Sequence, residues 1–211
     1  MHLRQAQNGM VTQVKITPTK KRYYIGAILF LGTLVLLGAG EYYFHRKNLY
    51  QHDYEKQITT IAQLKSSRLA DWYADELHDA AVLANNHFLR EHIVNFLKSP
   101  TSDHKQKLIQ YFSNLINEHD YFAILLALED GRVLASTLPD YTLDSVVQRT
   151  ITYALKQKST FSTDLYRAAY NDSVYIDFIA TCTSITTPQQ CVLIFRKSPL
   201  SDLYPLIAEL P

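Results

Sequence analysis

Glycine and proline are scarce in this chain, at 6 and 7 of 211 residues, a composition unlike a disordered linker or a collagen-like repeat. An excess of one charge is missing too. Lys and Arg number 21 against 20 Asp and Glu, and no basic stripe develops, so nucleic acid is not an expected partner. No H-E-x-x-H, C-x-x-C-H, G-x-S-x-G or P-loop occurs, which leaves zinc-peptidase, haem, serine-hydrolase and nucleotide chemistry without their residues. The histidines are His2, His45, His52, His78, His87, His92, His104 and His119, and none has a partner four residues away, the spacing of a helical metal pair. No metal, no cofactor and no catalysis by this chain are expected. Trp72 is the single tryptophan, whereas tyrosine occurs 15 times; its apolar ring and polar tip suit bilayer interfaces and ligand pockets.

One long apolar run is present. From Tyr23 to Gly40 no residue carries a formal charge, and at about 1.5 Å per residue this makes about 27 Å of helix. Extension through Tyr42–Phe44 completes a span of about 30 Å, with Tyr23, Tyr24, Tyr42, Tyr43 and Phe44 as aromatic belts. Residues 1–22 hold Arg4, Lys15, Lys20, Lys21 and Arg22 and no acid, so they are expected to remain cytoplasmic as a basic tail. Residues 23–44 then form the transmembrane helix, and residues 45–211 an extracytoplasmic domain. A cleaved signal peptide would have a shorter core, of about 7–15 residues. Here bulky aromatics follow, although Gly38-Ala39-Gly40 offers small residues for cleavage.

Beyond the membrane, residues 45–97 carry no proline, and Tyr54, Ile58, Ile61, Leu64, Leu69, Trp72, Leu77, Ala80, Ala81, Ala84 and Phe88 recur at helical spacing. This predicts one long helix. Its first half could offer Tyr50, Tyr54, Ile58, Ile61 and Lys65 to a second copy, or pack them on its own sheet. Ser99-Pro100 ends it, and Lys105–Ile116 reads as a shorter amphipathic helix. Around Glu129-Asp130-Gly131 two apolar runs form a hairpin signal. A helix at about Leu143–Gln157 follows, then strands at Thr160–Tyr166, Val174–Cys182 and Gln190–Lys197, with a turn at Thr186-Thr187-Pro188-Gln189. An exit helix at 200–210 closes the pattern. The fold class is therefore α+β: a long helix packed on a five-stranded antiparallel sheet at about 121–197, with the central helix closing the other face over a pocket.

Several stretches carry a resemblance. LKSSRLADWYADELHDAAVLANNHFLREHIVNFL, LALEDGRVLAST, DLYRAAYNDSVYIDFIATCTSI and CVLIFRKSPLSDLYPLIAELP are similar, in that order, to the N-terminal helix, first hairpin, third and fourth strands, and last strand with exit helix of Cache domains. These are the PAS-like extracytoplasmic sensors of bacterial histidine kinases, chemoreceptors and cyclic-di-GMP enzymes. The resemblance covers about residues 50–211. It implies a membrane-anchored small-molecule sensing domain in a bacterial inner membrane, with a sensor histidine kinase as the expected protein type and a homodimer through the long helix. It also implies that any output domain lies beyond residue 211, so that this is the N-terminal part of a longer protein. The alternative is a membrane-anchored periplasmic scaffold with no ligand.

Two groups of residues are candidates for chemistry. Cys182 and Cys191 are equally far from the centre of the expected turn, so they face each other within disulfide reach. They are either bridged, as an oxidising compartment would favour, or two buried thiols. On the strand Val174–Ala180, Tyr175, Asp177 and Ile179 share one face and Val174, Ile176, Phe178 and Ala180 the other. The apolar set should pack on a helix, and the mixed set suits a ligand face. In Cache domains a late-strand aspartate commonly holds a ligand amine and an arginine or tyrosine its carboxylate. Asp177 with Tyr166 or Arg167 occupies comparable positions, though the fuller amino-acid-binding signature is not matched. The other reading pairs Asp177 with a cross-strand Lys or Arg.

Overall fold

The computed structural model describes residues 18–139, 141–182 and 190–208. The basic side chains Arg4, Lys15, Lys20 and Lys21, the expected turn 186–189 and the end of the exit helix lie outside the described residues. The chain divides into two compact units, residues 1–59 and 60–211.

The first helix, α1, runs Pro18–Ala84. Its apolar stretch, long enough to cross a bilayer, has no buried residue. Arg46 donates from Nη1 to Tyr50 Oη at 2.9 Å and lies over the rings of Tyr42 and Tyr50. Tyr50, Tyr54 and Ile58 are exposed.

The single helix expected over 45–97 is in fact broken. Asn86 caps a separate helix, α2 (His87–Lys98), its side-chain oxygen accepting from the amides of Phe88 and Leu89. Asparagine competes for backbone donors in this way, and so favours caps over helix interiors. Thr101 caps α3 (Ser102–His119), which is longer than its apolar spacing indicated.

The sheet comprises β1 (Ala123–Leu128), β2 (Val133–Ser136), β3 (Phe161–Ser162), β4 (Tyr166–Arg167), β5 (Val174–Cys182) and β6 (Cys191–Lys197), with α4 (Ser145–Gln157) between β2 and β3 and α5 (Leu203–Ala208) at the end. Its order is β2-β1-β6-β5-β3, with β4 also on β5 and every pair antiparallel. The expected strand Thr160–Tyr166 is thus two short pieces on one partner. Ser162 faces Phe178 while Tyr166 faces Tyr175, so the outer chain carries one residue more than its partner between these pairs. This is the signature of a bulge. Thr163 continues the ladder up to it, its amide donating to the Asp177 carbonyl at 2.9 Å and its hydroxyl accepting from the Asp177 amide at 3.0 Å. In the β1–β2 turn Gly131 has φ of +84°, a conformation that L side chains rarely adopt.

The sheet is buried on both faces. Ile124, Leu126, Ile176, Phe178, Ala180, Leu193 and Phe195 join one core with Ala80, Leu83, Leu89, Ile93, Leu108 and Phe112 of the first three helices. Ala123, Leu125, Ala127, Ile179, Val192 and Ile194 join the other with Val147, Ile151 and Ala154 of α4. Period-two alternation therefore sorts β5 as the sequence indicates. Adjacent residues of β6 carry buried ion pairs on opposite sides. Lys197 binds Glu76 of α1 at 2.5 Å and Asp202, ahead of α5, at 3.0 Å. Lys65 of α1 donates to the Ile207 carbonyl of α5 at 2.9 Å.

Candidate functional site

Asp177 of β5 and Arg196 of β6 are register partners on the α4 side of the sheet, and each is 0% exposed. The contact is bidentate: Arg196 Nε donates to Oδ1 at 2.8 Å and Nη2 to Oδ2 at 2.7 Å. Such a fork is the strongest geometry an arginine and a carboxylate can share. Tyr166 Oη donates to Asp177 Oδ2 at 2.6 Å. Arg196 Nη2 also reaches the hydroxyls of Tyr166 and Tyr141, the latter at 2.7 Å. Its two hydrogens thus serve three oxygens, while Nη1 is buried without a hydrogen-bond partner among the described residues.

Aromatic rings enclose the guanidinium. Its carbon lies 4.6, 5.0, 5.6 and 5.9 Å from the ring centres of Tyr141, Tyr175, Tyr166 and Tyr170, all within cation–π range. Tyr170 and Tyr175 are stacked at 6.2 Å and 7°, and Tyr141 stands edge-on to Tyr170. Tyr175 Oη is held by Asn171 Nδ2 at 2.7 Å. Solvent reaches the cluster's margin at Tyr170 and at Phe122, which packs on Tyr175; they are 45% and 42% exposed.

A further carboxylate positions this cage. Asp144 occupies the N-cap of α4 but makes no side-chain cap bond. Instead it accepts from Tyr141 Oη at 2.9 Å and from the Ala169 amide at 3.0 Å. The helix forgoes a cap, typically worth about 1 kcal/mol, and two loops that carry tyrosines are fixed beside Arg196.

Of the residues singled out from the sequence, Tyr166, Tyr175 and Asp177 come together here. Arg167 does not: it is exposed and pairs with Asp172 at 2.8 Å, because alternation along β4 turns it away from Tyr166. Asp177 makes the cross-strand Arg pair rather than presenting a free carboxylate. Arg196, Tyr141, Tyr170 and Asp144 were missed. The signal for Arg196 was available, since the hairpin symmetry that opposes Cys182 and Cys191 also opposes Asp177 and Arg196. Cys182 and Cys191 are indeed register partners, on the opposite face of the sheet, and both are free buried thiols here.

Burial governs the protonation of these groups. It pushes the Tyr141 hydroxyl up to about 12, and raises Tyr166, helped by the Asp177 charge, and Tyr121, helped by Glu76. For Lys197 burial acts downward, but hydrogen bonds to Glu76 and Asp202 outweigh it and raise it. In the unfolded chain these groups titrate near pH 10–10.4. Above that pH the native state binds more protons than the unfolded state, so stability is full below about pH 10 and falls as pH rises. The expected slope is about 1.4 kcal/mol per pH unit for each such group. Urea titrations at pH 8 and pH 11, with tyrosinate absorbance followed in parallel, should show this loss. A flat profile would contradict the burial of these tyrosines.

No protein-family model matches the sequence, and neither does any curated protein. Solved structures do match. The sensory domain of the Campylobacter jejuni chemoreceptor Tlp3 with isoleucine bound is 17% identical, with TM-score 0.56, over 78% of this chain and 66% of that one. The sensor domain of the Vibrio cholerae histidine kinase DctB is 10% identical, with TM-score 0.55, over 72% and 58%. The ligand-binding domain of the Pseudomonas aeruginosa amino acid chemoreceptor PctC, in complex with GABA, is 15% identical, with TM-score 0.54, over 75% and 69%. This chain therefore spans 66% and 58% of the first two neighbours' own lengths. A long N-terminal helix followed by an antiparallel sheet of five positions is the fold that this chain shares with these chemoreceptor and histidine-kinase sensory domains.

Proposed function

We propose that this chain is the membrane-anchored, extracytoplasmic small-molecule sensing part of a signal-transduction protein, with a sensor histidine kinase as the expected output. The observation that carries the reading is the buried Arg196–Asp177 pair, caged by four tyrosines of which Tyr170 is exposed. A soluble domain has no packing need for such a polar cluster, because buried ion pairs seldom add net stability over apolar residues. The neighbours bound to isoleucine and GABA support a small organic ligand. The unburied apolar stretch of α1 is taken as a bilayer span, with the basic residues 1–22 inside the cell and residues 45–211 outside the inner membrane. The exposed Tyr50, Tyr54 and Ile58 are taken as a homodimer seam. Export would also favour a disulfide between Cys182 and Cys191; intact-mass measurement of exported protein should then show the loss of two hydrogens, restored by reductant.

A second reading has its own observation. Asp177 already holds three side-chain hydrogen bonds, which favours a periplasmic scaffold with no ligand. Thermal melts of the full-length protein in nanodiscs, against a panel of amino acids, organic acids and amines, separate the two. A stabilising compound whose effect is lost on Tyr170→Ala supports sensing. A panel with no stabilising compound at all favours the scaffold.

A further inference from the structure

A carboxylate lined by aromatic rings is a site for a cation, and here the cation belongs to the chain itself. Arg196 occupies both oxygens of Asp177, and Tyr166 adds a third hydrogen bond to Oδ2. The four ring faces around the pair are turned to the same guanidinium. An incoming ammonium would meet a carboxylate whose charge is matched, beside a fixed positive charge that repels it. What the cluster still offers is a donor. Nη1 carries two N–H bonds, is buried, and has no partner among the described residues, a state in which a buried polar group is costly to leave. Tyr170 and Tyr175 are stacked beside it, and at the exposed Tyr170 the cluster meets solvent.

We infer, resting on the sensing function above, that Arg196 permanently fills the cation position beside Asp177. The site's ligand then presents an oxygen acceptor, carboxylate or carbonyl, to Nη1 of Arg196 rather than an amine to Asp177. Charge-assisted donation from an arginine to such an oxygen is short and strong, and it satisfies the one group that the cage leaves open. The tyrosine walls select a molecule with a small planar or apolar body.

Two experiments on the full-length protein in nanodiscs test this. In the first, arginine side-chain nitrogen signals are followed by NMR during titration with acetate, acetamide or methylammonium, Arg196 being assigned by its loss in Arg196→Lys. Acetate or acetamide should move the Arg196 Nη1 signal and raise the Tm. A response to acetate alone identifies an anionic ligand, and a response to both identifies a carbonyl. Arg196→Lys retains the charge but lacks Nη1, and should lose the Tm response. Methylammonium that raises the Tm of wild type and fails on Asp177→Asn would overturn the inference, as would an Nη1 signal indifferent to both oxygen acceptors.

The second experiment does not depend on sensing. Arg196→Ala should lower the Tm, and millimolar methylguanidinium should restore part of it. Arg196→Ala/Asp177→Asn should not respond. Where Arg196→Ala is unfolded, the same rescue is read as recovery of folded protein on refolding from urea. Absence of rescue would show that no cation position exists beside Asp177, whatever the ligand panel gives. If rescue succeeds and no compound of any charge stabilises wild type, Arg196 fills the position and it is the sensing function that fails.

Discussion

Arg196→Met is expected to lower the unfolding free energy by about 3–5 kcal/mol, the usual cost of removing one member of a buried ion pair. The reason is what the substitution leaves behind. Asp177 has no exposure, so its carboxylate would remain in a medium of low polarity with only Tyr166 Oη to compensate it. Tyr141 would lose its donor as well. Arg196→Met/Asp177→Leu should recover most of the loss, since apolar side chains of similar volume commonly replace a buried pair without penalty. Urea denaturation followed by circular dichroism measures both. A single variant within about 0.5 kcal/mol of wild type, a change typical of surface sites, would show that the pair is not buried as described.

The second large effect concerns the other face of the sheet. Phe178→Ala should cost about 3–5 kcal/mol, the range for removing a large buried aromatic side chain. Phe178 is fully buried, faces Phe195 across the β5–β6 ladder, and packs edge-on against Trp72 at 6.1 Å and against Tyr73 at 6.1 Å. It is therefore a principal aromatic contact between β5 and α1. Because Trp72 is the single tryptophan, its fluorescence reports this junction alone. Emission should shift to the red in the variant before global unfolding begins. Coincident fluorescence and circular-dichroism transitions at the wild-type midpoint would contradict the prediction.

Much of the fold could be read from local pattern. The apolar alternation along Val174–Cys182 gives the observed strand and the correct assignment of its two faces. Glu129-Asp130-Gly131 places the first hairpin turn, where Gly131 adopts the positive φ. The errors share a cause. The break at Asn85–Asn86 and the bulge that follows Thr163 each sit beside one polar side chain that chooses a backbone partner. Apolar periodicity does not encode that choice, because it averages over several residues. The cluster was legible to the extent that it lies on β5 and β4, where Tyr166, Tyr175 and Asp177 lie together. Tyr141, Asp144 and Tyr170 belong to loops far from β5 in sequence, and no local spacing links them to it.

By itself, the sequence determined the uncharged run Tyr23–Gly40 and its basic flank, the helical character of the residues before the sheet, and the two-faced strands, since each depends on neighbours along the chain. Tertiary structure alone decided what Asp177 does. Its character as a free ligand group or as half of an ion pair is set by the residue opposite it on β6 and by tyrosines brought in from two loops. Electrostatic and hydrogen-bond energies depend on distance and burial in three dimensions, and these are fixed only when the sheet has closed.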